Sequence, residues 1–285
     1  MIYIPDVDIL TDILRSAGLK TDLLARHALH EPWAMRFPCA KSMGFHLVTH
    51  GEAWVRAPRF ETPLRLGRGD MILLNRGFDH EVATAPEVPV PQDVGVGPFP
   101  GRLSVEAESA SGTARAVLVC GLYRFQTEPI HPFFSELPDV LVVRADEIAP
   151  HVPLFAAQQL LAAELAHPGQ GSETVVKSLV DVMFHYLVRG WLDKACPVNS
   201  RWALTLKDPH LVRAFAAMHA DPARDWSLEE LAAEAGQSRA AFAQRFKRLT
   251  GDTPGRYLAR IRIQRAMDLL RSTEETLERI AAQVG

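Results

Sequence analysis

The sequence predicts a multidomain α+β protein with an N-terminal antiparallel β domain, a helical connector and a C-terminal all-α domain. Its 285 residues are enough for about two domains of ordinary size. The apolar pattern changes after Pro150, from short runs separated by turn residues to a three- and four-residue spacing. The charge balance also changes, from 17 basic and 23 acidic residues in the first 200 to 14 basic and 11 acidic residues after them. We therefore expect domains at 1–148, 149–200 and 201–285.

The composition is that of a folded globular protein. Hydrophobic residues make up 47% of the chain and charged residues 23%, which excludes a disordered or fibrous chain. Asp6 and Asp12 lie where a signal peptide would be basic and then apolar, and no run approaches about 18 apolar residues. The three cysteines are far apart and odd in number, unlike a secreted disulfide framework: Cys39, Cys120 and Cys196. We expect a cytoplasmic protein that does not enter a membrane.

The first 148 residues predict one helix followed by short antiparallel strands. Residues 8–19 place apolar side chains at helical spacing. Residues 44–84 alternate runs rich in Val, Leu and Trp with breaks at glycine and proline, which is typical of closely spaced strands. Residues 85–113 contain five prolines and predict a long loop. Two more strands are expected at 116–125 and 140–144.

The connector predicts two amphipathic helices in an antiparallel hairpin. Apolar residues recur at helical spacing from Leu154 to Leu165 and again from Val175 to Leu187, with His167-Pro-Gly169 between them. Such a hairpin either packs onto the β domain or forms a contact between subunits. The second alternative predicts a homodimer.

The most specific feature of the chain is an internal repeat. Residues 227–236 (SLEELAAEAG) recur 49 residues later as residues 276–285 (TLERIAAQVG), with five of ten positions identical. Each copy predicts a short helix with a hydroxyl N-cap and a C-terminal glycine. The second copy ends at Gly285, where the first has its turn, so we expect a second unit that is truncated within these 285 residues.

The first copy begins a predicted helix-turn-helix. A three-residue turn separates Gly236 from a second helix at 239–250, which has Ser238 as its N-cap. Short and polar residues share the outward face of this helix, which suits a helix that enters a major groove and reads base edges. From Ser238 to Arg271, nine basic residues face two acidic ones, a net charge of +7 that suits DNA phosphates. The candidate DNA-binding residues are Arg239, Ala240, Ala243, Gln244, Lys247 and Arg248.

The C-terminal 75 residues or so contain a series of motifs: Trp226-Ser227-Leu-Glu-Glu-Leu-Ala, Ser238-Arg239 with Phe242 and Phe246-Lys247, Gly251-Asp-Thr-Pro254, Tyr257-Leu258 and the stretch from Arg262 to Leu270. With these motifs, the segment resembles the AraC/XylS family of transcription regulators. The resemblance implies that double-stranded DNA and RNA polymerase are partners. It also implies that Ala240, Ala243 and Gln244 occupy the reading positions of the second helix. Alanine at two of them departs from members with bulky or basic side chains there.

In the β domain, residues 69–80 (GDMILLNRGFDH) are similar to the second cupin motif, with Asn75 where proline is usual, whereas the first motif is poorly kept. The β domain therefore resembles the cupin-like sensor domains of that family, which implies a cupin-like barrel. Histidine and cysteine are the ligands that zinc or a similar metal prefers. The candidate ligands for zinc or another transition-metal ion are His46, His80, Cys120 and His131.

Other signals and functions stay open at this point. Cys39, with Arg36 and Lys41 nearby in sequence, is a candidate redox-reactive thiol, as is Cys120. Alternatively, Trp33 and Trp54 could line a site for a small organic effector. One rival function is a metal-dependent cupin enzyme with a vestigial helical domain. Another is a regulator that binds no small molecule and acts through protein contacts.

Overall fold

The described residues of the chain form two compact units. The computed structural model describes residues 8–17, 19–29, 32–37, 42–75, 77, 79–89, 104–105, 116–125, 131–148, 152–194 and 200–285. The sheet unit consists of residues 20–125 and 137–191, and the helical unit consists of residues 1–19, 126–136 and 192–285. In the described part of the chain, every helix is too short or too polar to cross a lipid bilayer.

These units are not the consecutive segments 1–148, 149–200 and 201–285 that the sequence suggests. Residues 126–136 leave the sheet unit and join the helical unit, and the connector helices join the sheet unit. The physical reason is visible at Glu136, whose carboxylate accepts hydrogen bonds from the Ser200 hydroxyl at 3.0 Å and from the Trp202 backbone N–H at 2.9 Å. Phe133 is fully buried nearby, with its ring centroid 6.4 Å from that of Trp202.

The sheet unit contains a six-stranded and a four-stranded sheet. The six-stranded sheet has the order β10-β6-β3-β9-β1-β8, and the four-stranded sheet has the order β2-β7-β4-β5. All pairings are antiparallel except that of β1 with β8. The strands are β1 (Lys20–Leu29), β2 (Ala34–Phe37), β3 (Ser42–His50), β4 (Ala53–Arg56), β5 (Leu64–Leu66), β6 (Met71–Leu74), β7 (His80–Ala83), β8 (Ser104–Val105), β9 (Ala116–Arg124) and β10 (Val140–Val143).

Residues from both sheets form one buried core. Val48, Ile72 and Leu118 of the larger sheet belong to the same cluster as Val55 and Val82 of the smaller one. Because side chains alternate across a strand, the residues two positions from these also face the interior. This places His46, Cys120 and His80 on the inward faces of their strands.

The turn before β6 is held by the Asp70 carboxylate. It accepts hydrogen bonds from the backbone N–H groups of Gly67 and Ala145 and from the Arg144 guanidinium. Partial burial opposes ionisation, but these hydrogen bonds outweigh it and lower the pKa of Asp70 below its ordinary value. Gly69 has φ +83°, and a Cβ atom there would lie 2.8 Å from the Cβ of Ala145, so only glycine fits this turn.

Two helices follow β10 in the sheet unit, α3 (Pro153–Ala166) and α4 (Ser172–Lys194), and α4 packs on the larger sheet. The Tyr123 hydroxyl of β9 donates to the Val180 carbonyl at 2.8 Å, and its ring lies 4.6 Å from that of Phe184. Both predicted connector helices form, and Tyr123 packs α4 against the sheet. Leu160, Val175 and Val182 remain exposed.

The helical unit is built around aromatic side chains. Trp202, Phe215, Phe246 and Tyr257 are fully buried, and neighbouring ring centroids lie 4.8 to 6.3 Å apart. The helices are α1 (Ile9–Ser16), α2 (Pro132–Glu136), α5 (Arg201–Lys207), α6 (Pro209–Ala220), α7 (Leu228–Glu234), α8 (Arg239–Thr250), α9 (Pro254–Ser272) and α10 (Leu277–Val284).

Candidate DNA-binding helix and buried histidines

Hydrogen bonds fix the start of α7, the turn that follows it and the start of α8. Ser227 and Glu230 form a reciprocal capping box at the start of α7, and hydrogen bonds from the Ser227 backbone and hydroxyl and from Arg224 lower the pKa of Glu230 to about 2. At the end of α7, Arg213 and His210 of α6 contact the Ala235 carbonyl. The Ser238 hydroxyl then caps α8 by accepting from the Ala241 N–H. The helix-turn-helix is therefore a preformed element.

The outward face of α8 carries the predicted DNA-binding residues. Phe242, Phe246 and Leu249 are buried and anchor the opposite face. Ala243 is half-buried, and the other five candidates are exposed: Arg239, Ala240, Gln244, Lys247 and Arg248. Short side chains at 240 and 243 leave room for the backbone to approach a groove closely, with Gln244 beside them to reach a base edge.

Several arginines of the basic segment are engaged within the unit. Arg245 pairs with Asp208 at 2.6 Å, and Arg260 pairs with Asp252 at 2.8 Å. Arg262 donates to the carbonyls of Pro222 and Arg224. These arginines stabilise the fold, so the net charge of +7 overstates the charge available to phosphates. Within the described residues, no ion pair involves Lys247 or Arg248 of α8.

The second repeat copy forms α10, as the repeat predicts. The Thr276 hydroxyl accepts from the Arg279 N–H, which is the cap that Ser227 provides in the first copy. Ile280 and Val284 are buried, matching the positions of Leu231 and Ala235. The continuous helix α9, with Thr253 as its N-cap and Pro254 at its first position, joins the two copies.

Inside the sheet unit, His46 of β3 and His80 of β7 form a buried pair. Their Nε2 atoms lie 2.6 Å apart, and each residue is 1% exposed. Phe37 packs against both rings. Burial, with His80 and His27 nearby, holds the pKa of His46 well below its ordinary value, so its imidazole is neutral. In the hydrogen bond between them, the Nε2 atom of one ring donates its proton and the Nε2 atom of the other accepts it.

The other predicted metal ligands do not complete a site with this pair. Cys120 lies opposite His46 in the register of β3 and β9 and belongs to the apolar core. Within the described residues, no three His, Cys, Asp or Glu side chains are arranged to hold a metal ion. Sequence reasoning missed His27, a buried residue of β1 close enough to influence His46. The sequence of β1 shows no clear alternation of polar and apolar residues that would have indicated a buried His27.

His131, the fourth predicted metal ligand, belongs to the helical unit. Its ring lies edge-on to Trp202, with centroids 4.8 Å apart, and to Tyr257, with centroids 5.9 Å apart. Its Nδ1 accepts the Phe133 N–H at 3.2 Å. Burial, followed by the nearby Arg260 and His219, lowers the pKa of His131 to about 3. The predicted redox residue Cys39 lies outside the described residues.

Comparisons with known proteins match both units. Residues 8–193 match the family model described as Cupin, and residues 231–285 match the one described as Helix-turn-helix domain. An AraC-like transcription regulator from Streptomyces lividans is 32% identical over 98% of this chain and 90% of its own length. One from Streptomyces antibioticus is 31% identical over 98% of this chain and 91% of its own length. The chain belongs to the AraC family of transcription regulators.

The solved structures that are similar include ToxT from Vibrio cholerae O395. It is 12% identical, with a TM-score of 0.33, and the match covers 94% of this chain and 88% of ToxT. Membership of the AraC family makes the chain a DNA-binding transcription regulator with a cupin-like N-terminal region, rather than a cupin enzyme. In this AraC-family chain, α8 is the second helix of the helix-turn-helix.

Proposed function

We propose that the chain regulates transcription by sequence-specific binding of double-stranded DNA, with α8 in the major groove. The observation that carries this proposal is the capped, outward face of α8, where small residues lie beside Gln244. A glutamine can bond to adenine through both its amide oxygen and its nitrogen, and an alanine can contact a thymine methyl group. Lys247 and Arg248 supply charge for phosphates.

The test starts by selecting binding sites from random duplexes with the full chain. The Gln244→Ala substitution should reduce the preference for selected over random DNA by about 5- to 150-fold, since one good base contact discriminates by about 1 to 3 kcal/mol. Replacing Lys247→Ala should weaken binding to both DNAs equally and reduce the salt slope by about 1. Lys177→Ala, which removes a half-buried lysine of α4 that pairs with Glu173, is the control. Unchanged discrimination by the Gln244→Ala variant would place base reading outside α8.

The proposal includes a sensor role for the sheet unit, centred on His46 and His80. Zinc is the signal that their chemistry favours, because neutral imidazole nitrogen is one of its preferred ligands. Two imidazoles are fewer than the three protein ligands of an open zinc site. The third ligand that we propose is Cys120, opposite His46 on the neighbouring strand, which would have to turn towards the pair when zinc binds.

Elemental analysis of the full chain tests this part. We expect about one zinc ion per chain after purification without chelators, and loss of that ion in His46→Phe and His80→Phe variants. Phenylalanine preserves the ring packing against Phe37 and removes the nitrogen ligands. His185→Phe, on the exposed surface of α4, should keep the metal. A wild-type chain free of zinc, even after zinc addition and desalting, would make the pair a structural hydrogen bond.

We also propose that the regulator is a homodimer formed through α4. Beside its buried face, α4 carries a second apolar stripe with a spacing of four, three and four residues: Val175, Leu179, Val182 and Tyr186. This is the spacing of a helix that packs against another helix. RNA polymerase remains a partner that the family resemblance predicts.

A further inference from the structure

The helical unit contains a cleft of about 320 Å³ that neither the DNA-binding face nor the histidine pair uses. The lining comes from α1, the residue before α2, α6 and the segment that follows it, α9 and α10. This volume is at the small end of the range of ligand sites. The lining residues on which its chemistry depends are Asp12, His131, His219, Asp221, Tyr257, Arg260, Arg265 and Asp268.

Two residues of the lining, His131 and Arg260, each carry a buried hydrogen-bond donor that has no acceptor among the described residues. The Nδ1 of His131 accepts the Phe133 N–H, which fixes the ring proton on Nε2. This Nε2 is buried and has no hydrogen-bond partner among the described residues, and His131 as a whole is 7% exposed. The Nη2 of Arg260 donates to Asp252, but its buried Nη1 also has no partner among the described residues. A buried donor without an acceptor is unfavourable, so both donors favour a ligand that supplies acceptor oxygens.

The remaining lining limits the charge of that ligand. His219 bridges Asp12, at 3.5 Å from its Nδ1, and the Tyr257 hydroxyl, at 3.1 Å from its Nε2. Three carboxylates line the cleft (Asp12, Asp221 and Asp268) against two arginines, so a dianion such as phosphate would be repelled more strongly than a monoanion. A single carboxylate at Arg260 and His131, with donor groups elsewhere on the ligand, suits this lining.

We propose that this cleft binds a small organic monocarboxylate that also carries hydroxyl or ammonium donors. The carboxylate accepts from Nη1 of Arg260 and from Nε2 of His131. The donors of the ligand face the aspartates. The site lies against α9, the helix that joins the two repeat copies, so a ligand there contacts the helical unit that carries the helix-turn-helix.

Calorimetric titration of the full chain with glycolate, lactate, 4-hydroxybutyrate and alanine tests the site. At least one of them should bind with a stoichiometry near one and a Kd below about 1 mM, which corresponds to about -4 kcal/mol. The matched amide of that probe and inorganic phosphate should bind at least tenfold more weakly.

Variants then locate the binding. Arg260→Gln and His131→Phe should each weaken binding at least tenfold. His131→Phe retains a ring against Trp202 and Tyr257, so it keeps the test valid if Arg260→Gln fails to fold. Arg256→Gln is the matched control, because Arg256 is on the same helix, pairs with the same Asp252 and is outside the cleft lining. The proposal would be overturned if none of the four probes binds saturably at concentrations up to about 10 mM, ten times the expected Kd. Binding that both cleft variants retain would also overturn it.

Discussion

At the scale of single residues, His131 couples the stability of the helical unit to pH. Burial keeps its imidazole neutral in the folded chain, with a pKa of about 3 against 6.5 for an ordinary histidine. The unfolded chain therefore binds more protons between these two values, and stability is lost as the pH falls from about 6.5 towards 3. Each unit of pH within this window costs about 1.4 kcal/mol, so the loss at pH 5 is about 2 kcal/mol.

Urea unfolding at pH 7.5 and pH 5 measures this loss. In a His131→Phe variant, the decrease in unfolding free energy between the two pH values should be smaller than in the wild type by about 2 kcal/mol. His185→Phe, which removes an exposed histidine, should follow the wild type. Equal pH dependence in the wild type and the His131→Phe variant would show that His131 does not carry the effect.

The histidines also show which residue roles the sequence can predict. His46 and His80 could be named as partners because each lies in or beside a strand of the β pattern. The sequence groups His131 with them because it follows the same strands in the chain. Its position depends on contacts with Trp202 and Tyr257, which lie more than 70 residues later in the chain. A local sequence pattern cannot predict contacts over such a separation. For the same reason, Arg260 and His219 gave no signal as cleft residues.

At the scale of elements, two glycines near the boundary of α8 and α9 should respond oppositely to the same substitution. Gly251 ends α8 with φ +78°, where alanine is strained, so Gly251→Ala should destabilise the helical unit by about 1 kcal/mol. Gly255 lies inside the first turn of α9, with nothing within 4 Å of an added Cβ atom. Gly255→Ala should therefore stabilise the unit by about 0.5 kcal/mol, because it restricts the unfolded chain.

Differential scanning calorimetry of the two variants compares these effects under one set of conditions. The transition of the helical unit should occur at a lower temperature in Gly251→Ala and at a higher temperature in Gly255→Ala. A shift of both variants in the same direction would contradict the assigned backbone conformations.

The helices of the C-terminal region were predicted more accurately than the strands. Ser227, Ser238 and Thr253 each cap a helix at the predicted residue, because a cap is a local interaction within four residues. Strand β1 was missed. Its sequence, KTDLLARHAL, has no β-branched run, and its extended conformation depends on pairing with β9 almost 100 residues later.

At the scale of the whole molecule, the second apolar stripe of α4 predicts the oligomeric state. Val182 is 42% exposed and lies near the middle of the stripe, so a charge there would be buried in a dimer at a cost of several kcal/mol. The full chain should sediment as a dimer at micromolar concentration, and Val182→Glu should sediment as a monomer with its fold intact by circular dichroism. Thr174→Glu adds the same charge to an exposed residue off the stripe and should remain dimeric. A dimeric Val182→Glu variant, or a monomeric wild type, would rule out α4 as the subunit interface.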